Sequence, residues 1–211
     1  ALGASTTGCQ NIAIGRTALG AGVTTGNDNI AMGTNAADAL TSGACNIALG
    51  INAYGTAAAG ANNIALGNTA MGGSLVTGNN NTAIGLGSLD ALLAGTKNVA
   101  IGENALGGAT TSDRSVAIGH GALGIGTLTG NDNVALGSYA AQALIAGACN
   151  VAMGEKAFCA ASAGHENVVI GMLAMSGVTT GQADNNIAIG RSALVGAAGT
   201  TGNDNVAIGT N

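Results

Sequence analysis

The chain has 211 residues, a net charge of −5 and 7% charged residues; it contains 38 glycines, no proline, one Phe, two Tyr and no Trp. That balance excludes the basic, aromatic-lined surfaces that bind nucleic acid. It also excludes an ordinary globular core, which draws on more aromatics, and glycine without a triplet period excludes collagen.

No run of 18 uninterrupted apolar residues occurs, so no membrane insertion is expected. Ala1 opens no charged-then-apolar leader, so a signal peptide, had one existed, is expected to be gone already.

The first predicted element is Asn11-Ile12-Ala13-Ile14-Gly15, and it returns eleven times along the chain. Its glycines are Gly15, Gly33, Gly50, Gly67, Gly85, Gly102, Gly119, Gly137, Gly154, Gly171, Gly190 and Gly209, at intervals of 17 to 19 residues. A fixed period near 17 is the mark of a stacked repeat. Four residues before the glycine stands Asn, with Ser115 the exception, and two before it stands Ala, with Val169 the exception. The positions flanking that alanine are Ile, Val, Leu or Met, except Thr82. Three residues after the glycine come Ala18 and its equivalents, with only Ser88 departing. A mostly large apolar column follows, including Leu19, Tyr54, Met71, Leu89 and Phe158, with Ala37 and Ala141 as small members.

Ile12 and Ile14 around Ala13 give a period of two, which predicts strands of about five residues bounded by Gly and Asn turn chemistry. Such strands cannot form a core alone. Stacked at about 4.7–4.9 Å, they are expected to bury a continuous apolar seam, each Ile, Leu or Val contributing about 1.5–3 kcal/mol. The Asn column predicts a side-chain amide ladder along the stack. The predicted fold is therefore all-β: a parallel β-solenoid or β-roll of twelve 17–19-residue repeats, forming one domain over 1–211 without separate caps or linkers.

A longer period overlies the short one. Intervals of 18, 17 and 17 recur three times, a 52-residue triplet. Two architectures fit. Either each 17-residue unit is one small coil and three chains assemble as a homotrimer, or each triplet is one large three-sided coil. The regular extra residue favours the large coil, and duplication of a three-coil block accounts for it equally well. The termini add a further expectation. Gly209-Thr210-Asn211 read into Ala1-Leu2 continue the repeat in register. This points either to a segment of a longer array or to a head-to-tail polymer joined through uncapped β-edges.

Candidate chemistry is sparse. Cys9, Cys45, Cys149 and Cys159 form no CxxC pair, and they read as small apolar residues rather than a disulfide or metal set. His120 and His165 stand isolated in variable columns and read as surface residues. Gly26-Asn27-Asp28, Gly130-Asn131-Asp132 and Gly202-Asn203-Asp204 resemble calcium-binding repeats, but turn formation is the expected use. The glycines of GxGxxG-like stretches belong to the repeat and carry no nucleotide signal. Thr6-Thr7, Thr24-Thr25, Thr110-Thr111, Thr179-Thr180 and Thr200-Thr201 read as solvated turns, with O-glycans an option on an extracellular fibre. Asn80-Asn81-Thr82 is the one N-glycosylation sequon. No catalytic, cofactor-binding or metal residue is assigned, no cofactor is expected, and the chain is not read as an enzyme.

The run from Asn11 to Leu19, repeated from Asn98 to Leu106, resembles the head repeats of trimeric autotransporter adhesins and is similar to 17-residue repeats of phage tail fibres. The resemblance covers nearly the whole chain. It implies a left-handed parallel β-roll, usually trimeric, on a cell or virion surface. The functional expectation is a structural subunit of an extracellular filament that stacks head to tail. The alternative is the receptor-binding head or shaft of a trimeric adhesin or phage fibre, with a surface glycan or receptor as a further partner.

Overall fold

The computed structural model describes residues 2–3, 7–20, 23–177, 183–196 and 202–210. It is all-β, and every repeat supplies one short strand. In chain order these are β1 (Ile12–Ile14), β2 (Ile30–Met32), β3 (Ile47–Leu49), β4 (Ile64–Leu66), β5 (Thr82–Ile84), β6 (Val99–Ile101), β7 (Val116–Ile118), β8 (Val134–Leu136), β9 (Val151–Met153), β10 (Val168–Ile170), β11 (Ile187–Ile189) and β12 (Val206–Ile208). They form one twelve-stranded sheet in sequential order. Each pairing is parallel and in register, so motif alanines face each other, as Ala13 does Ala31.

This pairing decides between the two architectures. A 52-residue coil would set β1 beside β4. Instead β1 pairs with β2 and β4 with β3 and β5. Each 17–19-residue repeat is one coil of a β-solenoid, and the large three-sided coil is corrected. The strands are three residues long rather than five, but the ladder runs past their ends. Ile12 N donates to Asn29 O at 2.8 Å, and Gly33 N donates to Ile14 O at 2.8 Å.

A coil this small must turn sharply. It does so with left-handed residues at fixed places: one before the strand, as Asp28 (φ 58°), and two after it, as Asn35 (φ 57°) and Ala37 (φ 48°). Such conformations cost L-residues about 1–2 kcal/mol each. The cost is offset because these amides still bond between coils: Asp28 N to Cys9 O at 3.1 Å and Ala37 N to Ala53 O at 2.9 Å. The motif glycine lies further out. Gly85 has φ +130°, and a Cβ there would meet Gly102 O at 2.6 Å, so only glycine fits.

The triplet period is a packing device. In every third coil the first large column holds Tyr54, Leu106 or Phe158, and the next buried side chain is Ala57, Ala109 or Ala161. One coil earlier the balance shifts, with Ala37, Leu89 or Ala141 followed by Leu40, Leu92 or Leu144. Bulk moves between two lumen positions from coil to coil, so large side chains in coils about 4.8 Å apart need not all crowd one position.

Candidate functional site

The lumen is occupied, and its polar content is structural. Asn29, Asn46, Asn63, Asn81, Asn98, Asn133, Asn150, Asn167 and Asn186 are buried in one line. Asn46 is representative. Its backbone N–H and Nδ2 donate to Asn29 Oδ1 at 2.9 and 3.1 Å, and Nδ2 also donates to Gly60 O at 2.9 Å. The expected amide ladder is present. At Ser115 the line changes chemistry: Ser112, in a column otherwise mostly glycine, donates through Oγ to Gly130 O at 2.8 Å, and Asn133 N donates to Ser115 Oγ at 3.3 Å. The Tyr54 hydroxyl also enters the line, donating to Gly60 O and accepting from Asn63 Nδ2, both at 2.9 Å. Burial pushes its pKa well above the usual phenol range.

The strand side chains overturn one expectation. The motif alanines from Ala31 to Ala188, with Val169 among them, are fully buried. The large residues flanking them are half-buried or exposed in every strand. The seam of Ile, Val, Leu and Met therefore faces outward. Asn and Ala share one parity, the amide ladder needs the interior, and the narrow lumen beneath the strand is filled by Ala, with Val169 the one larger occupant. In the sequence the signal was the low tolerance of the alanine column, broken only by Val169, between columns that vary freely among Ile, Val, Leu and Met; it separates the two faces without saying which one is interior.

The result is a continuous apolar face. It runs twelve strands, about 53 Å at 4.8 Å per coil. Its two strand columns carry no charge, and Thr82 is their single polar member. Exposed Ile51, Leu86 and Met172, each following a motif glycine, widen it. At about 10 Å across, its footprint is roughly 500 Å², the size of the largest apolar patch on a typical monomer, which is often functional.

Charges line its two rims. The upstream rim is the left-handed residue before each strand, and includes Asp28, Lys97, Arg114, Asp132, Glu166 and Asp204. The downstream rim is the residue after the motif glycine, and includes Arg16, Glu103, Glu155 and Arg191. On the upstream rim Arg114 Nε and Nη2 donate to Asp132 Oδ1 and Oδ2 at 2.7 and 2.8 Å, and this hydrogen bonding lowers the Asp132 pKa.

The remaining candidate residues fall elsewhere. Cys45 and Cys149 are exposed on the upstream rim and Cys9 is exposed beside it, so these three are not packed as small apolar residues. The column of Cys45 and Cys149 is a solvated turn that also takes Asp, Lys and Arg. Cys159 is half-buried, and burial raises its thiol pKa. The histidines are separate from each other but not isolated. His120 meets the Tyr139 ring edge-on at 4.8 Å, and His165 Nδ1 lies 3.2 Å from Asp184 Oδ1. The Gly-Asn-Asp segments join coils: Asn27 Oδ1 accepts from Cys9 N and Asn131 Oδ1 from Asp113 N, both at 2.8 Å.

Of the threonines, Thr24 is buried and Thr25 Oγ1 donates to Thr41 O at 3.2 Å. Asn80 of the sequon sits in an exposed turn. Thr6, Thr179-Thr180, Thr200-Thr201 and the terminal pair Ala1 and Asn211 lie outside the described residues.

A groove of about 320 Å³ crosses the corners of neighbouring coils between Asp38 and Asp90. Desolvation raises the Asp90 pKa; the Gly72 and Gly73 amides counter it in part, and buried Oδ1 has no hydrogen-bond partner. Among the described residues no group of three or more His, Cys, Asp or Glu is placed to hold a metal ion, and no helix is long and apolar enough to cross a membrane.

Fold and surface together define a parallel β-solenoid repeat protein with one apolar sheet face. No family model, curated protein or solved structure matches the chain.

Proposed function

We propose that this chain is a rigid structural module, the shaft or head of an extracellular or virion-surface fibre, in which copies run parallel and pack their sheet faces together. The observation that carries this reading is the uncharged apolar face along twelve strands. Its residues repeat at a constant spacing, so a second copy of the same chain matches it along its whole length. The surface location follows the resemblance of the repeat to adhesin heads. The interior serves stiffness: the amide ladder and in-register sheet make each coil support the next. We favour this lateral packing over head-to-tail stacking because the sheet face offers an uncharged apolar surface along the whole stack.

The test is sedimentation equilibrium of the chain and of the double variant Ile101→Glu/Ile118→Glu. Both side chains are exposed at the middle of the face, at 36% and 40%. The parent chain is expected at a multiple of its 19.8 kDa mass, three copies being the anticipated number. The variant is expected at the monomer mass with an unchanged far-ultraviolet circular dichroism spectrum. A parent chain that stays monomeric at about 100 μM, well above the micromolar Kd of a weak specific complex, overturns the proposal.

A further inference from the structure

The fifth residue after each motif glycine stands at a corner of the coil, outside the two strand columns. Down the stack this column reads Asp38, Gly55, Gly72 and Asp90 in four successive coils. Two missing side chains between two carboxylates leave the groove of about 320 Å³. Gly72 can carry no side chain, because a Cβ there would collide with the Asn52 carbonyl oxygen. A Cβ at Gly73 would lie 2.7 Å from both carboxylate oxygens of Asp90. Asp90 therefore folds back over Gly73, toward the groove.

The lining selects a ligand chemistry. No basic and no aromatic side chain faces the groove, so an anion finds no counter-charge and a flat ligand finds no ring to stack on. The polar groups along its length are committed to the fold. Thr56 Oγ1 donates to Gly72 O at 2.9 Å and to Ser74 O at 2.6 Å, and Asn52 Oδ1 accepts from Asn35 Nδ2 at 2.9 Å. The middle is thus glycine backbone and the ends are negative. At one end Asp90 Oδ1 is buried with no hydrogen-bond partner, and desolvation raises the Asp90 pKa. A carboxylate in that state lacks compensating charge, which an ammonium group supplies. The next triplet differs on both counts. Gly107 and Gly124 lie between Asp90 and Gln142, but Ile125, 68% exposed, takes the place of Gly73, and Gln142 takes the place of the second carboxylate.

We propose that this groove binds a linear aliphatic polyamine along the stack, with one terminal ammonium at Asp90, the other at Asp38, and the methylene chain over Gly55 and Gly72. The two carboxylates stand three coils apart, about 14 Å at about 4.8 Å per coil. Contacts of about 2.8 Å at each end leave about 9 Å between the charged ends of the ligand. A lysine side chain carries one ammonium and satisfies one end only. The groove lies off the apolar face, so this site stands or falls independently of lateral packing.

Isothermal titration calorimetry of the full chain tests the site, with spermidine as the two-ended probe and n-butylamine as the single-ended one. Salt of about 0.15 M screens diffuse attraction to the acidic chain. Spermidine is expected to bind one site with a Kd of about 1 mM or tighter, about tenfold tighter than butylamine. Asp90→Asn and Asp38→Asn should each weaken spermidine about tenfold. Gly55→Ser should weaken it as much, by placing a side chain on the floor while keeping both carboxylates. A Cβ at Gly55 comes no closer than 3.1 Å to its neighbours, and Ser176 holds the matching position in the β10 coil, so that variant keeps the fold. Asp204→Asn removes the same charge from an exposed rim position and should change binding by less than about twofold. Far-ultraviolet circular dichroism checks that each variant is folded. No binding by the parent chain up to about 10 mM spermidine overturns the proposal. So does equal affinity for butylamine, an Asp38→Asn chain that binds as the parent does, or a loss on Asp204→Asn equal to that on Asp90→Asn.

Discussion

Replacing Asn81 with Ala removes one link near the middle of the amide ladder. Asn81 is 1% exposed. Its Nδ2 donates to Asn63 Oδ1 at 3.1 Å and to Gly95 O at 2.9 Å. Its Oδ1 accepts from Asn98 N at 3.0 Å and from Asn98 Nδ2 at 3.1 Å. After truncation Asn63 Oδ1 keeps the Asn81 backbone N–H at 2.8 Å, and Asn98 Nδ2 keeps Ser112 O at 2.6 Å. Two buried groups lose their partner: the Gly95 carbonyl and the Asn98 amide. Each orphaned group costs about 1–3 kcal/mol, so the loss is about 2–6 kcal/mol. Urea unfolding followed by far-ultraviolet circular dichroism measures it, with exposed Thr111→Ala as a control expected within about 0.5 kcal/mol of the parent. Hydrogen exchange localises it, since the Asn98 amide should lose protection. A variant within about 1 kcal/mol of the control, with Asn98 still protected, would refute the claim that the ladder stabilises the stack.

The motif glycine is irreplaceable for a different reason. Gly102→Ala places a Cβ 2.7 Å from Gly119 O at φ +132° and is expected to cost about 3 kcal/mol or more. Gly87→Asn, at φ 62° where Asn104 takes φ 54° one coil on, should stay within about 1 kcal/mol; equal costs in thermal melts would contradict this account. Tyr54→Phe should cost only about 0.5–1.5 kcal/mol, because Asn63 Nδ2 keeps Gly78 O and Gly60 O keeps Asn46 Nδ2, and the Phe158 coil already manages without the hydroxyl. A cost above about 3 kcal/mol would show that the hydroxyl is essential to the ladder. For Asp90, burial raises the folded-state pKa above the unfolded value. Its contribution to stability is therefore fully present below the unfolded value near 3.8 and is lost as pH rises through the raised folded value. Asp90→Asn should remove that decline, as Gln142 does naturally at the matching position in the β8 coil; an unchanged pH profile of the melting temperature would rule it out.

The repeat made much of the fold legible. The strict Asn column located the ladder, the glycine column located the end of each strand, and the period-two pattern located twelve strands. These are local constraints: a positive φ, a buried amide and a short strand are each set by residue type. Two features were not local. Whether the coil closes after 17 residues or after 52 depends on which strand β1 pairs with, and both closures preserve the same sequence period. The left-handed turn residues decide it, and several of them, such as Leu19 and Tyr54, are types for which sequence gives no warning of positive φ.

The candidate interaction surface was hidden for a related reason. Alternation says that Ile12 and Ile14 face one way and Asn11 and Ala13 the other, without saying which side is interior. The sequence alone thus determined the repeat, its phase and the chemistry of each column. Only the closed coil decided which column is inside, because lumen width is set by backbone closure: 17 residues leave room for alanine and an amide ladder beneath the strand, and the larger side chains must face out.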